Sequence, residues 1–229
     1  MKRSLVPRWA FQFIEANHQR ASSGILTDFH RLTQAQQRAM VKHAVQLLHC
    51  RTLAQQEKLR NGAVRLVVAL LPGTFPVLKK LLADFHAPFW YEAHFLVFSA
   101  LDRDDLTVSD QRRALALVED YMMHVDVESG FAAWKAGDML GHEWNSPETV
   151  AMLERLVLSA RHVAGRNGAL HGIAHAMDNA KRAEENRLLQ LVEKVALEDR
   201  SLNVKSYARF ILDGCGCYRK GTKKLKRTP

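Results

Sequence analysis

The sequence has few cysteines and no long apolar run, and both absences narrow the class of protein. Only three of its 229 residues are cysteine, Cys50, Cys215 and Cys217, too few and too scattered for a disulfide framework. The most apolar stretch, residues 64–71, ends at Pro72 and is far shorter than the roughly 18 residues of a membrane helix. The basic N-terminal stretch also lacks the apolar region of an export signal. We therefore expect a cytoplasmic protein with no membrane partner.

Several common enzyme signatures are missing as well. There is no glycine-rich phosphate loop, no Gly-x-Ser-x-Gly elbow and no Cys/His nucleophile arrangement. The composition, 47% hydrophobic and 25% charged, is that of a folded chain with an ordinary core. We expect no cofactor.

The net charge of +9 is concentrated at the two ends. Nine of the 33 basic residues fall in residues 1–8 and 219–229, which hold no acidic residue, and the body between them has 24 of each sign. A basic tail can hold nucleic acid or an acidic protein through salt-sensitive contacts, and it can equally be a plain solubilising end. The tail residues that we expect to bind are Lys220, Lys223, Lys224, Lys226 and Arg227.

The rest of the chain has helical periodicity, and no stretch alternates with a period of two. Candidate helix starts at Thr33, Thr74, Thr107, Ser146 and about Arg182 lie 33 to 41 residues apart. Thr33 with Gln36 and Thr52 with Gln55 each have the spacing of a capping box. We expect Gly141 to close a helix that begins near residue 128, because glycine suits the left-handed position after a helix.

An internal repeat underlies this periodicity. Residues 59–71 read LRNGAVRLVVALL and residues 165–177 read GRNGALHGIAHAM, so that Arg, Asn, Gly and Ala recur in the same order. A fixed internal pattern at a pitch of 33 to 41 residues is typical of stacked helical hairpins.

The segments WKAGDMLG, GRNGALHGIAHA and NVKSYARFILDG resemble the second helices of HEAT repeats. This resemblance implies an all-α, right-handed α-solenoid of about five helical hairpins, whose second helices line a concave surface used for binding. It divides the chain into an N-terminal capping helix and linker (1–32), a repeat array (33–214) and a basic flexible tail (215–229).

The expected inner surface is net basic, with few acids such as Glu92 opposed to it. We expect the following residues to bind a partner there: Arg60, Arg65, Trp134, Arg166, His171, His175 and Arg209. A second interpretation, which we favour for Arg60, Lys135, Arg166 and Lys205, is that these cations form a ladder with acidic residues in the turns, as the HEAT resemblance implies. The partner that suits the surface best is an acidic protein, with nucleic acid as the alternative.

A weaker resemblance points to catalysis. Bacterial alkylpurine DNA glycosylases are HEAT-like proteins with a Trp and an Asp one turn apart on an inner helix and an Arg on the next, and Trp134, Asp138 and Arg166 are similar in kind. The resemblance implies that these three would act on alkylated bases, since an aromatic wall beside a carboxylate can stabilise a cationic sugar. The family's further inner aromatic residue has no equivalent here.

One more pattern concerns metal binding. His171, His175 and Asp178 lie at positions i, i+4 and i+7 of one helix, and this spacing puts three potential metal ligands on one face. The alternative is that they are polar residues lining the groove. The sequence as a whole predicts a non-enzymatic adaptor, regulator or immunity-type inhibitor, and the alternative is a DNA glycosylase or nucleic-acid repair protein.

Overall fold

The computed structural model describes residues 6–101, 105–126, 131–214 and 218. Within these ranges the chain forms thirteen α-helices and one π-helical segment, with no strand, so the prediction of an all-α fold is confirmed. None of the helices in the described ranges has both the length and the apolar character of a membrane span. The contacts divide the chain into two compact units, Met1–Ala114 and Leu115–Pro229.

The first unit is built around α5. Its helices are α1 (Arg8–Ala16), α2 (Ser22–His30), α3 (Gln34–His49), α4 (Arg51–Ala54), α5 (Glu57–Ala69), α6 (Phe75–Ala83), α7 (Trp90–Leu101) and the start of α8 (Val108–His124). Helices α1, α2, α3 and α7 all pack against α5. Nine residues of α5 are buried, as expected of a helix that has neighbours on most sides.

The sequence signals for helix starts are correct where a side chain completes the cap. The Thr33 hydroxyl accepts a hydrogen bond from the backbone amide of Gln36, and the side-chain oxygen of Gln36 accepts one from the backbone amide of Thr33. This is the predicted capping box. Thr52, by contrast, lies inside the short helix α4 and does not begin a helix. The helical conformation is interrupted at residues 55–56, and α5 begins at Glu57. The predicted linker before residue 33 also contains a helix, α2, which packs on α5.

The second unit continues α8 and adds five α-helices. These are α9 (Phe131–Asp138), which runs on as a π-helical segment (Met139–Glu143), α10 (Pro147–Ser159), α11 (Val163–Asn179), α12 (Arg182–Glu198) and α13 (Leu202–Leu212). Helix α11 packs against both α9 and α13, while α10 packs against α11 and α12. Helices α9, α11 and α13 are therefore neighbours in one layer of this unit.

Glycine and alanine allow α9 and α11 to approach backbone to backbone. A Cβ atom at Gly168 would overlap the carbonyl oxygen of Ala133, one at Gly137 would overlap that of Gly168, and one at Gly141 would overlap that of Gly172. The contacts advance together along both helices, so α9 and α11 run parallel. Such close approach is what small residues at a helix interface permit.

The internal repeat has the same structural role in each unit. Gly62 of α5 faces the backbone of Ile14 in α1, as Gly168 of α11 faces that of Ala133 in α9. Two residues earlier, the guanidinium of Arg60 donates to the carbonyl of Ala54 at 2.8 Å, and that of Arg166 donates to the carbonyl of Ala160 at 2.9 Å. The arginine of the Arg-Asn-Gly-Ala motif thus ties a helix to the C-terminal end of the helix before it, and the glycine allows a neighbouring helix to approach closely.

The prediction that Gly141 ends its helix in a left-handed conformation is wrong. Gly141 lies within the π-helical segment, where the amide of Trp144 donates to the carbonyl of Met139 at 2.8 Å. It is buried against Gly172 of α11, so the glycine is required by helix packing. After α13, Gly214 does have a positive φ, of 96°.

Tyr218 fixes the chain after α13. The sequence places this residue in the basic tail, but its side chain is fully buried and its hydroxyl donates to Oε1 of Glu185 in α12 at 2.6 Å. The tail residues Lys220, Lys223, Lys224, Lys226 and Arg227, and the pair Cys215 and Cys217, lie outside the described residues.

We predict that Gly168→Ala will lower the free energy of unfolding by about 1–3 kcal/mol, because the added methyl group has to displace the backbone of α9. The matched control is Gly24→Ala in α2, where the new Cβ would meet only the Arg20 side chain at ordinary contact distance. This control should gain about 0.5–1 kcal/mol from helix propensity. Urea denaturation gives the free energy of unfolding of both variants. Equal values for the two would contradict the close packing of α9 on α11.

Candidate functional site

The candidate site lies along one stripe of α11. This helix is buried on nearly all sides. Before the exposed Asn179 at its end, the partly accessible positions are Val163, Asn167, His175 and Asp178, with the buried His171 in line between them. The spacing of three or four residues places them on one face. From Asn167 to Asp178, this face of the central helix of the second unit is therefore a row of polar side chains.

Two side chains of α9 meet the histidines of this stripe. The Trp134 indole stacks on the His171 imidazole with ring centroids 4.1 Å apart and an angle of 9° between the planes. One turn later, Oδ1 of Asp138 lies 3.3 Å from Nε2 of His175. The two i, i+4 pairs that the sequence singles out therefore face each other across the glycine-packed interface.

Tyr207 of α13 completes the arrangement from the other side of α11. Its hydroxyl lies 3.1 Å from Nδ1 of His171, and its ring lies 5.6 Å from that of Trp134. We call Trp134, Asp138, His171, His175 and Tyr207 the aromatic–histidine cluster. It draws on three helices of one layer.

The carboxylate of Asp138 is held by two cations or potential cations. Nζ of Lys135 donates to Oδ2 at 2.7 Å, and His175 faces Oδ1. Partial burial works to raise the pKa of Asp138, but the hydrogen bond and charge of Lys135 outweigh it and leave the pKa below its ordinary value. Asp138 is therefore a carboxylate at neutral pH.

Both histidines of the cluster are neutral at pH 7. Burial lowers the pKa of His171 to about 4, with the nearby His175 adding to the effect. Burial also lowers the pKa of His175, against the opposing attraction of Asp138. A neutral imidazole can accept a hydrogen bond or bind a metal ion through one ring nitrogen.

Arg166 is part of the framework. Its side chain is only 3% exposed, and its Nε lies 3.0 Å from Oδ2 of Asp199, in the turn between α12 and α13. Position 166 is about 180° round the helix from position 175, so Arg166 points away from Asp138. Arg166 is thus committed to Asp199, and its pairing with a turn acid agrees with the ladder interpretation.

The other cations of the expected ladder and surface have different surroundings. Arg60 is buried, bonded to Ala54 and placed over the Phe89 ring at 5.5 Å, so it too is a framework residue. Arg65, which the repeat aligns with His171, is half-buried in the first unit. Lys135 pairs within its own helix, with Asp138.

Arg209 is exposed on α13 but does not join the cluster. It lies about 200° round the helix from Tyr207, on the same side as Lys205. Sequence spacing alone could have separated Arg209 from Tyr207, but only the packing of α13 on α11 shows that Tyr207 is the residue that meets His171.

The group of potential metal ligands in the structure differs by one member from the group that the helical spacing offers. His171 and His175 do come together, but the third potential ligand beside them is Asp138 from the neighbouring helix. The helical spacing predicts Asp178, on the same helix, as the third ligand. The close approach of α9 and α11, which depends on glycines, brings Asp138 within reach.

Comparison of the chain with protein-family models, with curated proteins and with solved structures finds no match. The geometry of the cluster is accordingly the basis for the proposals below.

We predict that Arg166→Gln will destabilise the protein by about 3–5 kcal/mol, because it removes a buried guanidinium and leaves the largely buried Asp199 side chain, 9% exposed, without its cationic partner. The control is Arg155→Gln, which removes an arginine that is 58% exposed and paired with Glu119. Loss of such a surface pair should cost less than about 1 kcal/mol. If chemical denaturation gives similar losses for both variants, Arg166 is not a framework residue.

We also predict that His171 makes stability depend on pH between about 6.5 and 4. In this window the unfolded chain binds a proton that the folded chain does not, so the free energy of unfolding falls as pH falls. The contribution approaches about 1.4 kcal/mol per pH unit. His171→Gln should reduce the slope without abolishing it, because burial also lowers the pKa of His94 to about 4. The exposed His124→Gln is the control, and an unchanged slope in His171→Gln would refute a buried neutral His171.

Proposed function

We propose that this protein is a non-enzymatic, HEAT-like α-solenoid binding protein that acts as an adaptor, regulator or immunity-type inhibitor. Its binding surface is the accessible side of α9, α11 and α13, and its partner is an acidic protein. The observation that carries the proposal is a continuous aromatic surface in which Trp134 is 40% and Phe210 is 55% exposed.

Two features support the solenoid interpretation. Helices α9 and α11 are parallel neighbours separated by α10, as the second helices of successive hairpins would be. The Arg-Asn-Gly-Ala motif makes the same carbonyl contact and the same close helix contact in both units. A recurring structural unit of this kind favours repeat architecture.

The aromatic surface has the composition of an interaction site. Phe210 lies 6.2 Å from Tyr207, which reaches Trp134 and His171 in turn. Large aromatic side chains are enriched in the centres of protein interfaces, where they supply much of the binding energy. Trp134 and Tyr207 are held by stacking and by a hydrogen bond, so little conformational entropy remains to be lost when a partner binds.

The charge distribution favours an acidic protein over nucleic acid. Residues 219–229 add six basic residues and no acid, and such a stretch would attract an acidic partner over a distance. Near the aromatic surface, however, Lys135 is neutralised by Asp138, and Arg166 is buried with Asp199. A nucleic-acid groove needs several cations free to meet phosphates.

The glycosylase alternative has less support. Trp134 and the ionised Asp138 do share the accessible side of α9, as that activity would require. Arg166 is turned away from them and committed to Asp199, and both oxygens of Asp138 face positive or polar neighbours. Release of methylated bases from alkylated DNA, lost in Asp138→Asn, is the result that would reinstate this alternative.

We predict that Trp134→Ala combined with Phe210→Ala will lower the affinity for the partner at least about 30-fold, because interface aromatics of this kind contribute about 2 kcal/mol or more. The partner is to be captured on the full-length protein after nuclease treatment, identified, purified and titrated by calorimetry. The matched control, Leu158→Ala with Leu197→Ala, removes two exposed hydrophobic residues from α10 and α12 and should bind normally.

Two results would count against the proposal. Equal loss of binding in the control pair would show that the aromatic surface has no special role. Capture of nucleic acid that is released by salt, with no nuclease-resistant protein partner, would replace the protein partner by nucleic acid.

A further inference from the structure

The aromatic–histidine cluster contains a set of potential metal ligands that packing has gathered from two helices. One ligand atom each from Asp138, His171 and His175 lie within 4.8 Å of one another. Two imidazoles and one carboxylate form a ligand set that suits divalent transition-metal ions such as zinc, and it leaves further positions for water or a substrate. Among the described residues, these three are the ones that meet in this way.

The outer contacts of the cluster are those that a metal site requires. Histidines that bind metal usually engage their second ring nitrogen in a hydrogen bond, which fixes the tautomer and the ring orientation. Nδ1 of His171 has such a contact with the Tyr207 hydroxyl, and the ring is held in place by stacking on Trp134. His171 is thus oriented by two neighbours that are not ligands themselves.

The distances require only a small adjustment. Two ligand atoms on a tetrahedral zinc ion, each about 2.1 Å from the metal, lie about 3.4 Å apart. The pair formed by Asp138 Oδ1 and His175 Nε2 is already at 3.3 Å. The remaining separations are at most 4.8 Å, so side-chain movements have to close a gap of up to about 1.4 Å. The His142 ring lies 5.7 Å from that of His175.

From this geometry we infer that Asp138, His171 and His175 bind one divalent transition-metal ion, with Tyr207 as the residue that positions His171. The neutral state of both histidines at pH 7 agrees with this role, because a ligand nitrogen has to be unprotonated. The inference does not depend on the proposed partner.

Lys135 opposes the metal and so provides a distinctive test. Its ammonium group lies 2.7 Å from Oδ2 of Asp138, where it repels a cation bound at the other oxygen and competes for the same carboxylate. Removing this charge should strengthen metal binding, whereas removing a residue that only supports the fold would not.

The test measures Zn²⁺ binding to the full-length protein. A chelator first removes any bound metal, and the protein is then dialysed against Zn²⁺ alone. We expect one equivalent of bound Zn²⁺ that is lost in His175→Asn and in Asp138→Asn. Tyr207→Phe should bind about 10-fold more weakly, and Lys135→Gln should bind about threefold or more tightly. Mg²⁺ at the same concentration should neither bind nor compete.

Two controls separate this site from others. His124→Ala removes an exposed histidine that is paired with Asp120 on α8, and it should leave Zn²⁺ binding unchanged. The double variant Cys215→Ser with Cys217→Ser should still bind the one equivalent of Zn²⁺ that is lost in His175→Asn. Circular dichroism of each variant verifies the fold. The inference is overturned if His175→Asn and Asp138→Asn, both folded, bind as much Zn²⁺ as the wild type, or if Lys135→Gln binds more weakly.

Discussion

The backbone contact between α9 and α11 is the constraint on which the second unit depends. Gly137, Gly141, Gly168 and Gly172 have no side chain to hold the helices apart, and the helices meet at a distance that larger residues would forbid. At that separation Trp134 can stack on His171 and Asp138 can reach His175. The chemistry of the surface is therefore a product of the packing beneath it.

The arginines of the repeated motif stabilise the fold and do not form part of the accessible surface. Arg60 and Arg166 are buried and donate hydrogen bonds to carbonyls at the ends of the preceding helices. A buried charge of this kind has to be matched, and Asp199 supplies the match for Arg166. Because these cations serve the architecture, the binding surface that we propose consists of neutral histidines and exposed aromatic rings, whose contacts would be less sensitive to salt than those of a row of free charges.

Much of the local structure could be predicted from the sequence. For the candidate site, the residue pairs within one helix could be predicted, but the contacts between helices could not. The caps at Thr33 and Ser146 follow from hydroxyl chemistry, and the pairs Trp134 with Asp138 and His171 with His175 follow from helical spacing. Spacing defines which residues share a face, but it does not give the rotation of one helix relative to the next. For this reason the inward direction of Arg166 and the meeting of Asp138 with His175 could not be predicted. Helix α2 and the π-helical segment carry no comparable signal.

The π-helical segment Met139–Glu143 makes the register of this region depend on a single residue. A π turn contains one more residue within each hydrogen-bonded ring than an α turn does. The wider turn therefore accommodates an additional residue without redirecting the helix on either side, and it is within this turn that Gly141 faces Gly172 and His142 lies beside His175. Chain length in this turn, as much as residue identity, sets which side chains border the cluster.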